Sequence, residues 1–275
     1  MGSRRAPGGP GSWREVADRV LVRRYADYDL NVGLILGDAL AMVVDTRGSD
    51  RQGRELLVEV QRVTTLPLVV ANTHHHFEHC YGNLAFEPAE IWGHERGAVK
   101  MVSDGRKTRQ ALVAAMPEAA LEYGATRVAV PTKTVAEETT VDLGGRSVAL
   151  SFLGRGHTDN DMVIAVRDAR LAFAGGLVRQ GGPPSFADSF PMEWPGTLAR
   201  LRELAARSVV PGHGDLVTDS FVEEQRAMLS ALAELAARLS FEGGSAKDGT
   251  TLSPFPPRPT ETALRRALSN LAGRQ

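Results

Sequence analysis

The spacing of apolar and polar positions changes period several times along the chain. Short runs rich in Val, Leu and Ile at 20–22, 30–36 and 40–45 read as strands, with a turn at Gly37-Asp38 between the last two. Residues 51–63 then carry Leu56, Leu57, Val60 and Val63 at roughly helical spacing, and 66–70 is a short run of the buried-strand type. A helix is predicted over 95–116. Strand-type runs at 128–130, 139–143, 147–153, 162–166 and 171–174 fill the middle, with Gly144-Gly145 turning between two of them. Helical patterns return at 195–206 and 220–239, on either side of a last strand at 208–210. Mixed order, with too few helices to flank every strand, predicts an α/β fold in which two sheets pack face to face under helices.

Three stretches are expected along the chain. Residues 1–12 form a flexible Gly- and Pro-rich tail, 13–240 a single domain, and 241–275 a linker rich in Gly, Ser and Pro followed by a helix at 261–271.

Composition narrows the function classes. At 275 residues with 43% hydrophobic and 24% charged side chains, the chain is an ordinary globular protein, neither a disulfide miniprotein nor a disordered polymer. Thirty-two basic against thirty-three acidic residues argue against nucleic acid as a partner. The lone Cys80 cannot make an intrachain disulfide. No apolar stretch approaches the ~18 residues of a membrane span, and the first residues lack the core of a signal peptide, so no membrane partner and a cytoplasmic address are expected. The oligomeric state is open.

The histidines carry the chemistry. Four of the seven lie in His74-His75-His76-Phe77-Glu78-His79, directly after the apolar run 68–71. His157 follows the run 148–153, and His213 follows Val209-Val210. Each candidate ligand thus sits just past a strand end, where imidazoles and carboxylates converging from rigid supports suit a divalent metal such as zinc. In an extended segment 74 and 76 share a side, whereas Glu78 and His79 can turn toward a second position. Three neutral imidazoles leave an open coordination position, where bound water ionises near pH 7 and serves as a metal-bound hydroxide nucleophile. The predicted reaction is hydrolysis of an ester, lactone, thioester or amide of a small molecule, with Glu78 orienting the water and passing its proton on. His213 and His79 assist.

These residues resemble a known pattern: the chain is similar to the metallo-β-lactamase-fold metallohydrolases. The family's His-x-His-x-Asp-His motif matches His74, His76, Glu78 and His79 with Glu in place of Asp, and its later motifs match Gly156-His157-Thr158 and Gly212-His213. The resemblance implies a four-layer αββα sandwich of two mixed sheets. It also implies His74, His76 and His157 around a first metal, and Glu78, His79 and His213 around a second. Two departures bear on the second zinc: Gly176 stands where many members carry a bridging Asp, and Glu78 is one methylene longer than the usual Asp. One firmly bound zinc and a weak or absent second are expected. An iron-dependent persulfide oxygenase and a metal-poor ligand-binding or cyclase-type protein are the alternatives within the same fold. His75, His94 and Cys80 read as structural, Asp45 and Asp159 as partners for ligand histidines or surface caps, and 181–194 as an apolar wall over the site or plain packing.

Overall fold

The computed structural model describes residues 11–272. Residues 1–10 of the expected tail lie outside that range, and Gly11 N–H donates to the Arg24 carbonyl at 3.1 Å. The strands are β1 (Trp13–Ala17), β2 (Val20–Tyr25), β3 (Leu30–Leu36), β4 (Ala41–Val44), β5 (Leu68–Ala71), β6 (Glu90–His94), β7 (Lys133–Val135), β8 (Glu138–Asp142), β9 (Ser147–Phe152), β10 (Met162–Val166), β11 (Leu171–Arg179) and β12 (Ser208–His213). The helices are α1 (Asp50–Gln61), α2 (Phe77–Cys80), α3 (Glu95–Ala115), α4 (Ala120–Ala125), α5 (Trp194–Glu203), α6 (Asp219–Glu242) and α7 (Pro257–Ala272).

Hydrogen bonding runs in the order β7-β6-β5-β4-β3-β12-β11-β10-β9-β8, with β1 and β2 continuing from β3. Both halves are mixed: β4, β5, β6 and β7 are mutually parallel while β3 opposes β4, and β11 is parallel to β12 among antiparallel neighbours. Among the described residues one ladder pair, Leu30 with His213, joins the halves. The halves fold onto each other. Ile35, Met42 and Val44 from one half pack with Leu150, Ile164 and Phe173 from the other in a shared core. The outer face of the first half buries Leu56 and Val60 of α1, and that of the second buries Leu198 of α5, Leu229 of α6 and Leu264 of α7. Helix, sheet, sheet and helix form the predicted four layers.

Local chemistry explains the element ends. Ser49 caps α1 by accepting from Gln52 N–H at 3.1 Å. Gly243, at φ 71°, closes α6 in the left-handed conformation that a side chain disfavours. Gly144 and Gly145 both have positive φ, which a tight β8–β9 hairpin turn requires.

Three expectations fail. The run 128–130 is no strand: Val128 and Val130 pack against Cys80, Tyr81 and Met101 instead of pairing. β1, β6 and β7 were not anticipated. β11 continues five residues past 174, through an irregularity at Gly175, so Gly175-Gly176 lies within a strand rather than on the loop beyond it. The C-terminal helix begins at Pro257 and docks on α6, burying Ala263, Leu264 and Ala267.

α1 reaches the site's supporting loop through a close backbone approach. A Cβ on Gly82 would stand 1.9 Å from the Thr46 carbonyl oxygen and 2.9 Å from Gly53 Cα. Gly82→Ala is expected to lower stability by about 1–3 kcal/mol through this overpacking. A urea unfolding midpoint equal to that of the parent would refute the tight contact.

Candidate metal centre

The site is built where β5 ends. His74 follows in a bend and His76 in extended backbone, and His76 opens the one-turn helix α2, which swings Glu78 and His79 to the neighbouring position. His157 arrives on the loop between β9 and β10, and His213 on the last residue of β12. The structure brings all six residues named from the sequence together, in two groups: His74, His76 and His157, and Glu78, His79 and His213. Ligand atoms within each group lie inside 4.8 Å of one another. The groups abut, with the His74 and His79 ring centroids 4.3 Å apart.

The hydrogen bonds on the far side of each ring fix its proton. His157 Nδ1 faces the Ser185 carbonyl at 3.2 Å and His213 Nδ1 the Tyr28 carbonyl at 2.7 Å, so both Nδ1 atoms carry hydrogen. His79 Nδ1 donates to Asp45 Oδ2 at 2.7 Å, and His76 Nε2 donates to the Asp188 carboxylate at 3.2 Å. The Thr73 hydroxyl donates to Asp45 at 2.9 Å, so its oxygen accepts from His74 Nδ1 at 3.0 Å. Every inner nitrogen is therefore a bare acceptor, and these acceptors face one another. His76 Nδ1 lies 3.1 Å from His74 Nε2 and 3.0 Å from His157 Nε2, and His79 Nε2 lies 3.3 Å from His213 Nε2. Tetrahedral zinc with Zn–N near 2.05 Å sets its ligand nitrogens about 3.3 Å apart. The donor set fits such an ion.

Burial supports the neutral forms. It drives His74 and His157 well below the ordinary imidazole value, reinforced by neighbouring rings, and sets His75 at about 4. His213 is lowered by burial and by His79. For His76 burial acts in the same direction, but the Asp188 carboxylate outweighs it and the value rises. Burial would raise Glu78, yet His79 and His76 hold it ionised. Its carboxylate comes within 3.9 Å of His213 Nε2, so the longer side chain reaches the second group.

Gly176 is a packing requirement. A Cβ there would stand 2.0 Å from His157 Cδ2, so the His157 ring fills the space a bridging side chain would need.

Of the two supporting acids named from the sequence, Asp45 takes the expected part. It accepts from Thr73 N–H at 2.8 Å as well as from His79, and has a left-handed φ of 64°. Asp159 does not: its carboxylate accepts from Asn160 Nδ2 at 2.8 Å and approaches Lys100. Asp161 braces the His157 loop instead, accepting from the Thr158 N–H and hydroxyl at 2.7 and 2.8 Å, and burial lifts it to about 7. His75 turns to Asn160, and His94 caps α3 by accepting from Arg96 N–H at 3.0 Å. Cys80 is buried, with Sγ against the His75 and His76 carbonyls. Within 181–194, Phe186 and Trp194 are buried, and Trp194 flanks His157 at 5.8 Å between centroids. Asp188, missed from the sequence, lies in that stretch, whose other acid, Glu193, pairs with Arg155.

The family model described as the metallo-beta-lactamase superfamily matches residues 27–213. A metallo-beta-lactamase type 2 of Bacteroides fragilis is 26% identical over 114 residues, 40% of this chain; the match spans about half that relative's length, 46%. A metallo-beta-lactamase from Pontibacter korlensis superposes with TM-score 0.64 at 21% identity, over 80% of this chain and 98% of its own. The DIM-1 metallo-beta-lactamase gives TM-score 0.64 at 15% identity, over 80% and 97%.

Asp45→Asn puts an amide where His79 needs an acceptor, and should weaken zinc affinity about 10–100-fold in competition with a chromophoric chelator. Parental affinity would mean Asp45 does not orient the rings. Acid should also unfold the metal-free protein early. Between pH 6.5 and about 4 the unfolded chain binds more protons at His75 than the folded one, and His74 and His157 act in the same sense. Asp161, raised from 3.8 to about 7, and His76, raised by Asp188, oppose them. Melting temperature is expected to fall as pH drops through that window; a flat profile would contradict the neutral-ring assignment.

Proposed function

The chain belongs to the metallo-β-lactamase superfamily, and from that premise we propose that it is a zinc-dependent hydrolase of a small acyl compound. The observation that carries the reading is the set of proton-free imidazole nitrogens facing one another at 3.0–3.3 Å. His74, His76 and His157 would hold the first ion; Glu78, His79 and His213 would hold a second more weakly. Zinc in such a set supplies Lewis acidity, polarising an acyl oxygen and acidifying water.

The chain's own groups do the rest. Glu78, kept ionised by His79 and His76, would take the proton of the attacking water on its carboxylate and deliver it to the leaving group. Asp45 would hold the His79 ring through this transfer, and the Tyr28 carbonyl would hold His213. The substrate is proposed to be an ester, lactone, thioester or amide with an apolar portion. No described helix is long and apolar enough to cross a membrane.

The test is elemental analysis of the purified protein together with hydrolysis of an aryl ester, a lactone, a thioester and a β-lactam. Zinc should be present, chelation should abolish turnover, and added zinc should restore it. His157→Ala should lower metal affinity by more than the about 10–100-fold typical of an outer partner. Bound iron with oxygen consumption would replace this reading by the oxygenase, and a metal-free, inert parent by the ligand-binding protein. Gly176→Asp should displace His157 and reduce the metal bound per chain; an increase would contradict the packing described above.

A further inference from the structure

Two of the outer acceptors of the first triad come from one loop, between β11 and α5. Ser185 supplies the carbonyl for His157 Nδ1, and Asp188 the carboxylate for His76 Nε2, each at 3.2 Å. The loop thereby decides which nitrogen of each ring is bare. Loops are the least stable parts of a fold, so something must fix this one over the rings.

The contacts that do so come from the far end of the chain. Phe186, between the two acceptors, packs edge-on against Phe255 with centroids 5.4 Å apart. Next to Asp188, the Ser189 carbonyl accepts from Arg266 Nε at 3.2 Å. The Arg266 guanidinium also lies 5.7 Å from the Phe190 ring, which Arg155 approaches to 4.4 Å. Phe190 N–H donates to the Gly156 carbonyl at 2.8 Å, joining this loop to the one that bears His157. Phe255 and Arg266 both lie outside the residues matched by the family model.

We propose that the C-terminal segment is a positioning element of the first triad: Phe255 and Arg266 hold the 185–190 loop so that Ser185 and Asp188 keep His157 and His76 facing a cation. The inference rests on the zinc reading above. Arg266 acts through the loop and touches neither metal nor substrate. Arg265, its neighbour on α7, pairs with Glu261 on an exposed face and provides a control.

The experiment measures zinc affinity by chelator competition in two full-length backgrounds. His213→Ala leaves the first triad intact, and His157→Ala leaves the second. Arg266→Ala should weaken zinc about tenfold in the first background, leave the second unchanged, and melt in metal-free form together with Arg265→Ala. Arg266→Lys, which keeps a donor for Ser189, should recover part of the loss. Equal affinity in Arg266→Ala and Arg265→Ala overturns the proposal, as does equal weakening in both backgrounds, which would report general loosening. Should Arg266→Ala fail to fold, Phe255→Leu is read by the same criteria. A parent chain that binds no zinc overturns the hydrolase reading and this proposal with it, whereas zinc binding that ignores Arg266 removes the proposal alone.

Discussion

Five imidazoles arranged with their unprotonated nitrogens toward one another are an electrostatic problem that the fold creates on purpose. Two ring nitrogens 3.0–3.3 Å apart, each with a lone pair and no hydrogen between them, repel. Only a proton or a cation relieves that repulsion. Burial disfavours the proton on His74 and His157 while Asp188 favours it on His76, and one proton cannot serve both contacts of His76 Nδ1 as a cation does. The two groups and their outer partners are organised around this constraint.

The outer partners come from separate parts of the molecule, which makes the arrangement rigid. Asp45 serves both groups at once, taking His79 directly and His74 through the Thr73 hydroxyl. Its left-handed backbone at the end of β4 is tolerated because the carboxylate is anchored on both oxygens. Backbone carbonyls of Tyr28 and Ser185 complete the set. A metal-binding surface of this kind is made as much by the groups behind the rings as by the rings themselves.

The histidines were legible in the sequence because each follows an apolar run, and because 74, 76, 78 and 79 combine extended spacing with a single helical turn. The groups behind them were largely not. A carbonyl from Ser185 or Tyr28 leaves no trace in residue type, and Asp188 is one acid in a loop of Gly, Pro and Phe. Asp45 was readable, at a strand end. Asp159 was confused with Asp161 because both sit just past His157, and only the Thr158 turn separates their roles. Secondary structure failed where tertiary contact decided: Val128 and Val130 turned to a side cluster, and β11 ran through Gly175 and Gly176, which neighbours require to be bare. The layered architecture was readable from element order. The single Leu30–His213 junction was not, since nothing local encodes it.

That junction has a consequence for assembly. His74, His76 and His79 belong to the first half of the sheet system, His157 and His213 to the second, and the halves share one ladder pair beside His213. Neither half alone presents a complete coordination shell. A cation held by either group of ligands would therefore tie the two leaves of the sandwich to each other.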